Sequence, residues 1–283
     1  MKLNNPSVDI YVPDELPLPQ ALARTTHLGI GAHQDDLEFM ALHGILACYA
    51  SNELWFTGIT CTNGAGSPRT GDYAAFTDED MQRVRRREQR QAAAIGRYAA
   101  VIQLDYPSAT VKDPAHPALV EDLVTLLRAT RPRFVYTHNL ADKHETHVAV
   151  AVAAIRALRQ LPAAQRPERV YGCEVWRDLD WLPDKDKVLL DVSGREHLAM
   201  ALSGVFDSQI AGGKRYDLAA QGRRRANATF AESHGVDVAQ QLSFAMDLTP
   251  LVRDDRLDVV EYVVQFIRAF EADVRQKISA RLG

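Results

Sequence analysis

Thr26-His27-Leu28-Gly29-Ile30-Gly31, running directly into Ala32-His33-Gln34-Asp35-Asp36-Leu37-Glu38, is the stretch whose reading decides the fold. The first six residues have the small and apolar character of a short buried strand. The next seven turn abruptly acidic and lead into a helical pattern expected over 36–50. A second strand is expected at 53–62, rich in aromatic and β-branched residues. The segment 63–76 holds Gly64, Gly66, Pro68 and Gly71 and reads as a loop. Thr77 followed by Asp78, Glu79 and Asp80 predicts a capped helix start, with the acids suiting the helix dipole, and that helix runs to about Tyr98.

Further out, strands are expected at 101–104 and 134–137 and helices at 117–129 and 146–158. Strand and helix therefore alternate through roughly the first 160 residues, which predicts an α/β fold with a parallel sheet covered by helices on both faces. Later strands are expected at 170–176, 188–192 and 242–246, and helices at 217–234 and 255–282. The last helix carries Val259, Val260, Val263, Phe266, Ile267 and Phe270. Residues 1–25, punctuated by proline, read as an extended arm. Residues 26–283 read as one α/β domain, a core over 26–165 followed by a C-terminal extension over 166–283.

Bulk properties narrow the function. A net charge of −4 argues against a dedicated nucleic-acid binder. No stretch approaches the roughly 20 apolar residues of a membrane helix, and no apolar run follows the N-terminus as in a signal peptide. Cys48, Cys61 and Cys173 fit neither a CxxC zinc site nor a disulfide framework, and read as buried thiols of a cytoplasmic protein. Self-association is compatible with all of this.

Two clusters carry chemistry, each just past a strand, where ligands bind in open α/β sheets. The first is His33, Asp35 and Asp36. A helix N-cap explains one aspartate there but not a histidine and two acids on one turn. The second is Thr137-His138-Asn139-Leu140-Ala141-Asp142-Lys143-His144-Glu145-Thr146-His147, which packs three of the chain's nine histidines into ten residues. His144 and His147 share a helical face. Together the clusters can supply two imidazoles and a carboxylate, a set that suits zinc or another divalent transition metal with one position left open. The spacing of His144 and His147 is one short of HExxH, and no GxGxxG follows the first strand.

The first cluster resembles the AHPDD-x-E signature of the PIG-L/LmbE-like deacetylases, with Gln34 at the usual proline. His144-Glu145-Thr146-His147 resembles that family's H-x-D-H, with Thr146 at the acid. Arg85-Arg86-Arg87-Glu88 matches its R-x-x-E, Thr62-Asn63-Gly64-Ala65 its T-x-G-E turn with Ala65 at the glutamate, and Ser208-Gln209 a late S-Q pair. The resemblance spans most of 26–210. It implies a Rossmann-like three-layer sandwich and zinc-dependent removal of acetate from an N-acetylated amino sugar. His33, Asp36 and His147 would bind Zn2+, Asp35 would be the general base, His144 the acid and oxyanion partner, and Arg85 a substrate contact. Asp142 could hold the His144 ring or simply serve the turn. Competing expectations are an amidase for another small N-acyl conjugate and a non-catalytic, metal-stabilised binding protein. Other basic features, Gly212-Gly213-Lys214-Arg215 and Arg223-Arg224-Arg225, read as a flexible turn and a surface run.

Overall fold

The computed structural model describes all 283 residues. In chain order the elements are β1 (Asp9–Tyr11), α1 (Leu18–Ala23), β2 (His27–Gly31), α2 (Asp36–Met40), α3 (Leu42–Tyr49), β3 (Phe56–Thr62), α4 (Asp78–Ile95), β4 (Ala100–Tyr106), α5 (Ser108–Lys112) and α6 (Ala118–Thr130). Then come β5 (Phe134–His138), α7 (Glu145–Arg159), β6 (Arg169–Cys173), β7 (Lys187–Asp191), α8 (Glu196–Gly204), α9 (Asp207–Ile210), α10 (Tyr216–Phe230), β8 (Leu242–Asp247), α11 (Thr249–Arg253) and α12 (Val259–Leu282). The eight strands form one sheet in the order β1-β4-β3-β2-β5-β6-β8-β7. Its centre, from β4 to β6, is parallel, and β1 and β8 pair antiparallel at either side.

β2 pairs with β3 on one side and β5 on the other. The chain winds away from β2 in both directions, so the gap past the carboxyl ends of β2 and β5 is the topological switch point of the sheet. Leucine packing aims α2 at this gap. Gly29 and Gly58 are register partners on β2 and β3, and a Cβ on either would lie 2.8 or 2.6 Å from a Leu37 methyl. Only hydrogen side chains on both strands let Leu37 settle against the sheet, and Asp36 next to it is thereby fixed over the strand end.

Side chains on the two faces of the sheet build two apolar cores. One joins Leu28, Ile30, Ile59, Ile102 and Val135 to α6 and α7. The other joins Leu37, Ile45, Phe56, Tyr98 and Tyr136. The structure differs from the sequence expectation in several places. The helix expected over 36–50 is broken at Ala41 (φ −105°, ψ 16°), which separates the short acidic helix at the strand end from the apolar α3 lying along the sheet. The N-terminal arm contains β1, paired to β4 from Asp9 opposite Gln103, because the buried Asp9 carboxylate accepts from Gln103 and Arg90. Residues 166–283 contribute β6, β8 and β7 to the same sheet. The short helices α1, within the arm expected to be extended, and α5, α8, α9 and α11 were not expected; each has nine residues or fewer, too short for a clear helical period. No helix is long and apolar enough to cross a membrane.

Candidate metal and catalytic site

The switch point gathers His33 from the β2–α2 turn, Asp36 from the start of α2, and His147 from the first turn of α7. His33 Nδ1 lies 3.2 Å from His147 Nε2 and 3.3 Å from Asp36 Oδ2, and His147 Nε2 lies 3.4 Å from Asp36 Oδ1. The edge of a tetrahedron whose N and O ligands sit about 2.0–2.1 Å from its centre is about 3.3–3.4 Å. The three residues could thus hold a metal ion. Two imidazole nitrogens facing each other at this distance share at most one proton between them, and a cation satisfies both lone pairs. The Asp36 carboxylate also accepts the His33 backbone N–H at 2.6 Å, which locks the turn that carries both ligands. Burial works against its charge, but His147 and His138 beside it outweigh that and hold its pKa well below the usual carboxylate range. His33 is pulled below the usual imidazole value by burial. For His147, burial is outweighed by Asp36 and Asp142, which raise it.

Asp35 points elsewhere. Its backbone has φ +98° and ψ −31°, a conformation costing about 1–3 kcal/mol for a residue with a side chain. Four hydrogen bonds enforce it. Its own N–H donates to Gln89 Oε1 at 3.2 Å, the Arg85 guanidinium donates to the Gln34 carbonyl, and Gln34 Nε2 donates to Thr62 O and Gln103 Oε1 at 3.1 and 3.2 Å. Gln34, standing at the family's proline, therefore stiffens the turn by bridging β3 and β4. The Asp35 carboxylate accepts no hydrogen bond from a protein N–H or O–H; its nearest partner is Arg85 Nη2 at 3.5 Å. Burial pushes its pKa well up, against the pull of Arg85.

The intervening motif has a structural explanation. Arg85 is buried on α4 and also donates to Ser67 Oγ. Glu88, one turn on, accepts from Ser208 N and Ser208 Oγ at 2.8 and 2.6 Å. The R-x-x-E and S-Q pairs are thus two ends of one connection, which brings α9 and Gln209 to the site from 120 residues away.

His144 is the N-cap of α7, and its Nδ1 accepts from Thr146 N at 3.3 Å. With Nδ1 used as an acceptor, the ring proton of neutral His144 sits on Nε2. Burial, then the neighbouring His147 and His33, lower its pKa to about 4. Asp142 does not hold this ring. Its Oδ1 accepts from the His144 backbone N–H at 2.9 Å and its Oδ2 from Trp176 N at 3.1 Å. Oδ2 also stands 3.6 Å from His147 Nδ1, so Asp142 serves the turn and faces the His147 ring instead. It supplies a carboxylate behind His147 where Thr146 replaces the family's acid. His138, in the second cluster but given no role from sequence, stacks on His147 at 3.8 Å and accepts from Ala32 N at 2.9 Å, tying the ends of β5 and β2 together.

These groups open into a cavity of about 750 Å3, onto which His33, Asp35, Asp36, Arg85 and His144 all face. Its far wall comes from the C-terminal half and was not legible as a site in the sequence. Trp176 and Tyr216 meet edge to face at 5.8 Å, and Lys214 Nζ lies 5.3 Å over the Trp176 ring. Lys214 thus brings the Gly212-Gly213-Lys214-Arg215 turn to the edge of the cavity. Arg224 is buried and donates to Glu38 O and Phe39 O at 2.9 and 3.0 Å, so the 223–225 run is not simply surface. No local pattern marks these residues; only the Ser208-Gln209 pair signalled that this region reaches the site.

The family profile described as PIG-L, GlcNAc-PI de-N-acetylase, matches residues 28–158. This segment is a PIG-L domain. No curated protein matches the sequence. Among solved structures, this chain is similar to the 4-carboxy-2-hydroxymuconate hydratase GalB of Pseudomonas putida, at 18% identity and a TM-score of 0.60, covering 79% of this chain and 95% of that one. It is similar to the N,N'-diacetylchitobiose deacetylase of Pyrococcus horikoshii at 17% identity and a TM-score of 0.57, covering 81% and 86%. It is also similar to the zinc-inhibited form of the teicoplanin deacetylase Orf2 at 16% identity and a TM-score of 0.55, covering 78% and 97%. At these identities the likeness is one of fold: the PIG-L fold carries both deacetylases and a hydratase, and chemistry has to be argued from the residues.

Proposed function

We propose that this protein is a zinc-dependent N-deacetylase acting on an N-acetylated amino sugar. One observation carries the proposal: a carboxylate free of protein donors, Asp35, and an imidazole with its proton on the outer nitrogen, His144, face one cavity beside a three-ligand metal site. A binding protein needs the ligands alone. Amide hydrolysis needs the other two groups as well.

His33, Asp36 and His147 would hold the metal. Zinc there would supply Lewis acidity and bring the pKa of a water toward about 7. Asp35, buried and restrained by its turn, takes the proton of the attacking water as the water oxygen bonds to the amide carbonyl carbon. His144 Nε2–H donates to the carbonyl oxygen as negative charge develops on it. The proton held by Asp35 passes to the amine nitrogen as the C–N bond breaks, and acetate remains. Arg85, held by Ser67 and the Gln34 carbonyl, contacts the substrate from the side of Asp35. Trp176 and Tyr216 offer an aromatic face on which the apolar side of a sugar ring can lie. Three free thiols, all buried, support a cytoplasmic setting.

The test is release of acetate, matched by a new primary amine, from N-acetylglucosamine and N,N'-diacetylchitobiose by zinc-loaded protein. His147→Ala is expected to lose zinc by elemental analysis and turnover with it. Full zinc content in His147→Ala would remove the ligand assignment. Turnover of other N-acyl amides with none of the sugars would replace the substrate assignment by the wider amidase reading.

A further inference from the structure

The C-terminal helix α12 has 24 residues, about 36 Å at 1.5 Å per residue. Of its side chains only Val263 is fully buried, and every residue from 267 to 283 is exposed. Val259, Tyr262, Val263 and Phe266 hold its first half against the main apolar core. The second half projects free, yet it is not polar. Ile267, Phe270, Val274, Ile278 and Leu282 are exposed by 45, 43, 38, 55 and 81%, and Val260 on the first half by 65%. At 100° per residue these six fall within a sector of about 120°. Such a contiguous apolar stripe on an otherwise charged helix marks a docking face, and a bare helical half of this length is marginal by itself in water.

We propose that this stripe pairs with the same stripe of a second copy of this chain, the two helices running antiparallel. Three observations favour that occupant. First, each copy carries both halves of the joint. Beside the first half of α12 lies an apolar groove walled by Leu140, Val148, Val152 and Trp181, and the projecting second half carries apolar side chains able to fill such a groove. Two copies related by a two-fold axis fill each other's grooves, as closed symmetry requires. Second, charge is complementary only in this orientation. Residues 254–261 hold four acids and one arginine, whereas 275–283 hold three basic residues and no acid. An antiparallel pair puts the basic end beside the acidic one, with Glu261 and Arg275 of opposite copies on the same flank; a parallel pair puts like beside like. Third, one register satisfies the stripe throughout. Centred near residue 269, it sets Val260 against Ile278 of the second copy, Val264 against Val274, and Ile267 against Phe270, to within one residue. The groove is walled partly by Leu140 and Val148, which flank Asp142, His144 and His147, so the joint braces the loop that carries half of the functional site.

The experiment reads mass and cross-linking on the full-length protein. Light scattering at micromolar concentration is expected to give twice the chain mass, and Ile267→Glu with Val274→Glu to halve it without loss of the main thermal transition. These positions are exposed in the single chain, so folding of the body does not depend on them. A monomeric parent overturns the proposal. Orientation is tested by Val264→Cys with Val274→Cys. The two positions are about 15 Å apart within one helix, so mild oxidation yields a disulfide only between copies. The native cysteines are buried and stay silent. Covalent dimer from the double variant but from neither single variant supports the antiparallel pair. Dimer from Val274→Cys alone indicates a parallel pair and refutes it.

Discussion

Replacing Asp142 separates a turn residue from a residue that serves the metal site. Its side chain is wholly inaccessible, and it joins three things at once: the His144 N–H at 2.9 Å, the Trp176 N–H at 3.1 Å and, at 3.6 Å, the Nδ1 edge of His147. Asp142→Ala leaves two backbone donors without acceptors. At about 1–3 kcal/mol for each unsatisfied buried group, and with water able to reach the half-buried Trp176 side, the loss is about 2–4 kcal/mol, a fall of about 3–7 °C in Tm. Asp142→Asn keeps an acceptor for one N–H but sets an amide NH2 against either the second N–H or the His147 ring, so it should recover only part of that. Removing the carboxylate behind a ligand histidine should also weaken zinc by about 10–100-fold. Thermal melts of metal-free protein measure the first effect and chelator competition the second. An Asp142→Asn protein with parental Tm and parental zinc affinity would refute the reasoning. A lowered Tm with unchanged affinity would leave Asp142 as a turn residue alone.

Asp35→Asn keeps the side-chain shape and loses the basic oxygen; zinc content should hold while kcat falls by roughly 10²–10⁴, and parental turnover in zinc-replete protein would sink the base assignment. His144→Ala should show the same pattern, read on the same preparations. Gly64→Ala places a Cβ 2.6 Å from Gln34 Oε1 and 2.8 Å from Arg85 Cδ, at φ +73°, so about 1–3 kcal/mol of stability should go, together with activity, because both neighbours hold the Asp35 turn; a neutral outcome in denaturant titration would contradict the packing. His27 is buried, and burial, with His43 and Arg133 adding to it, lowers its pKa from 6.5 to about 4. Between these values the unfolded chain binds a proton that the native state does not, so this contribution to stability is whole above pH 6.5 and is lost as the pH falls toward 4. His27→Gln should flatten the acid limb of stability against pH by about 2–3 kcal/mol at pH 4.5, and a limb as steep as the parent's would exclude His27 as a source.

The residue types at the ends of β2 and β5 were legible in the sequence because strand ends, helix starts and ligand-type side chains are local features. So were the alternation that predicts a parallel sheet and the capping of α4 by Thr77, which the Asp80 N–H donation bears out. The meeting of His33 with His147, across 114 residues, depends instead on β2 lying next to β5, and strand order follows from which apolar faces pack together. The partner of Asp142 was open for the same reason: two residues from His144 in the chain, it faces the ring of His147 because the first turn of α7 rotates that ring toward it. The cavity wall of Trp176, Lys214 and Tyr216 carries no local signal, and the apolar period of α12, legible in the sequence, does not say what it faces. A tryptophan or a helical apolar period looks alike in sequence whether it closes a core, lines a cavity or faces solvent. What it faces is decided only when distant segments compete for the same surface.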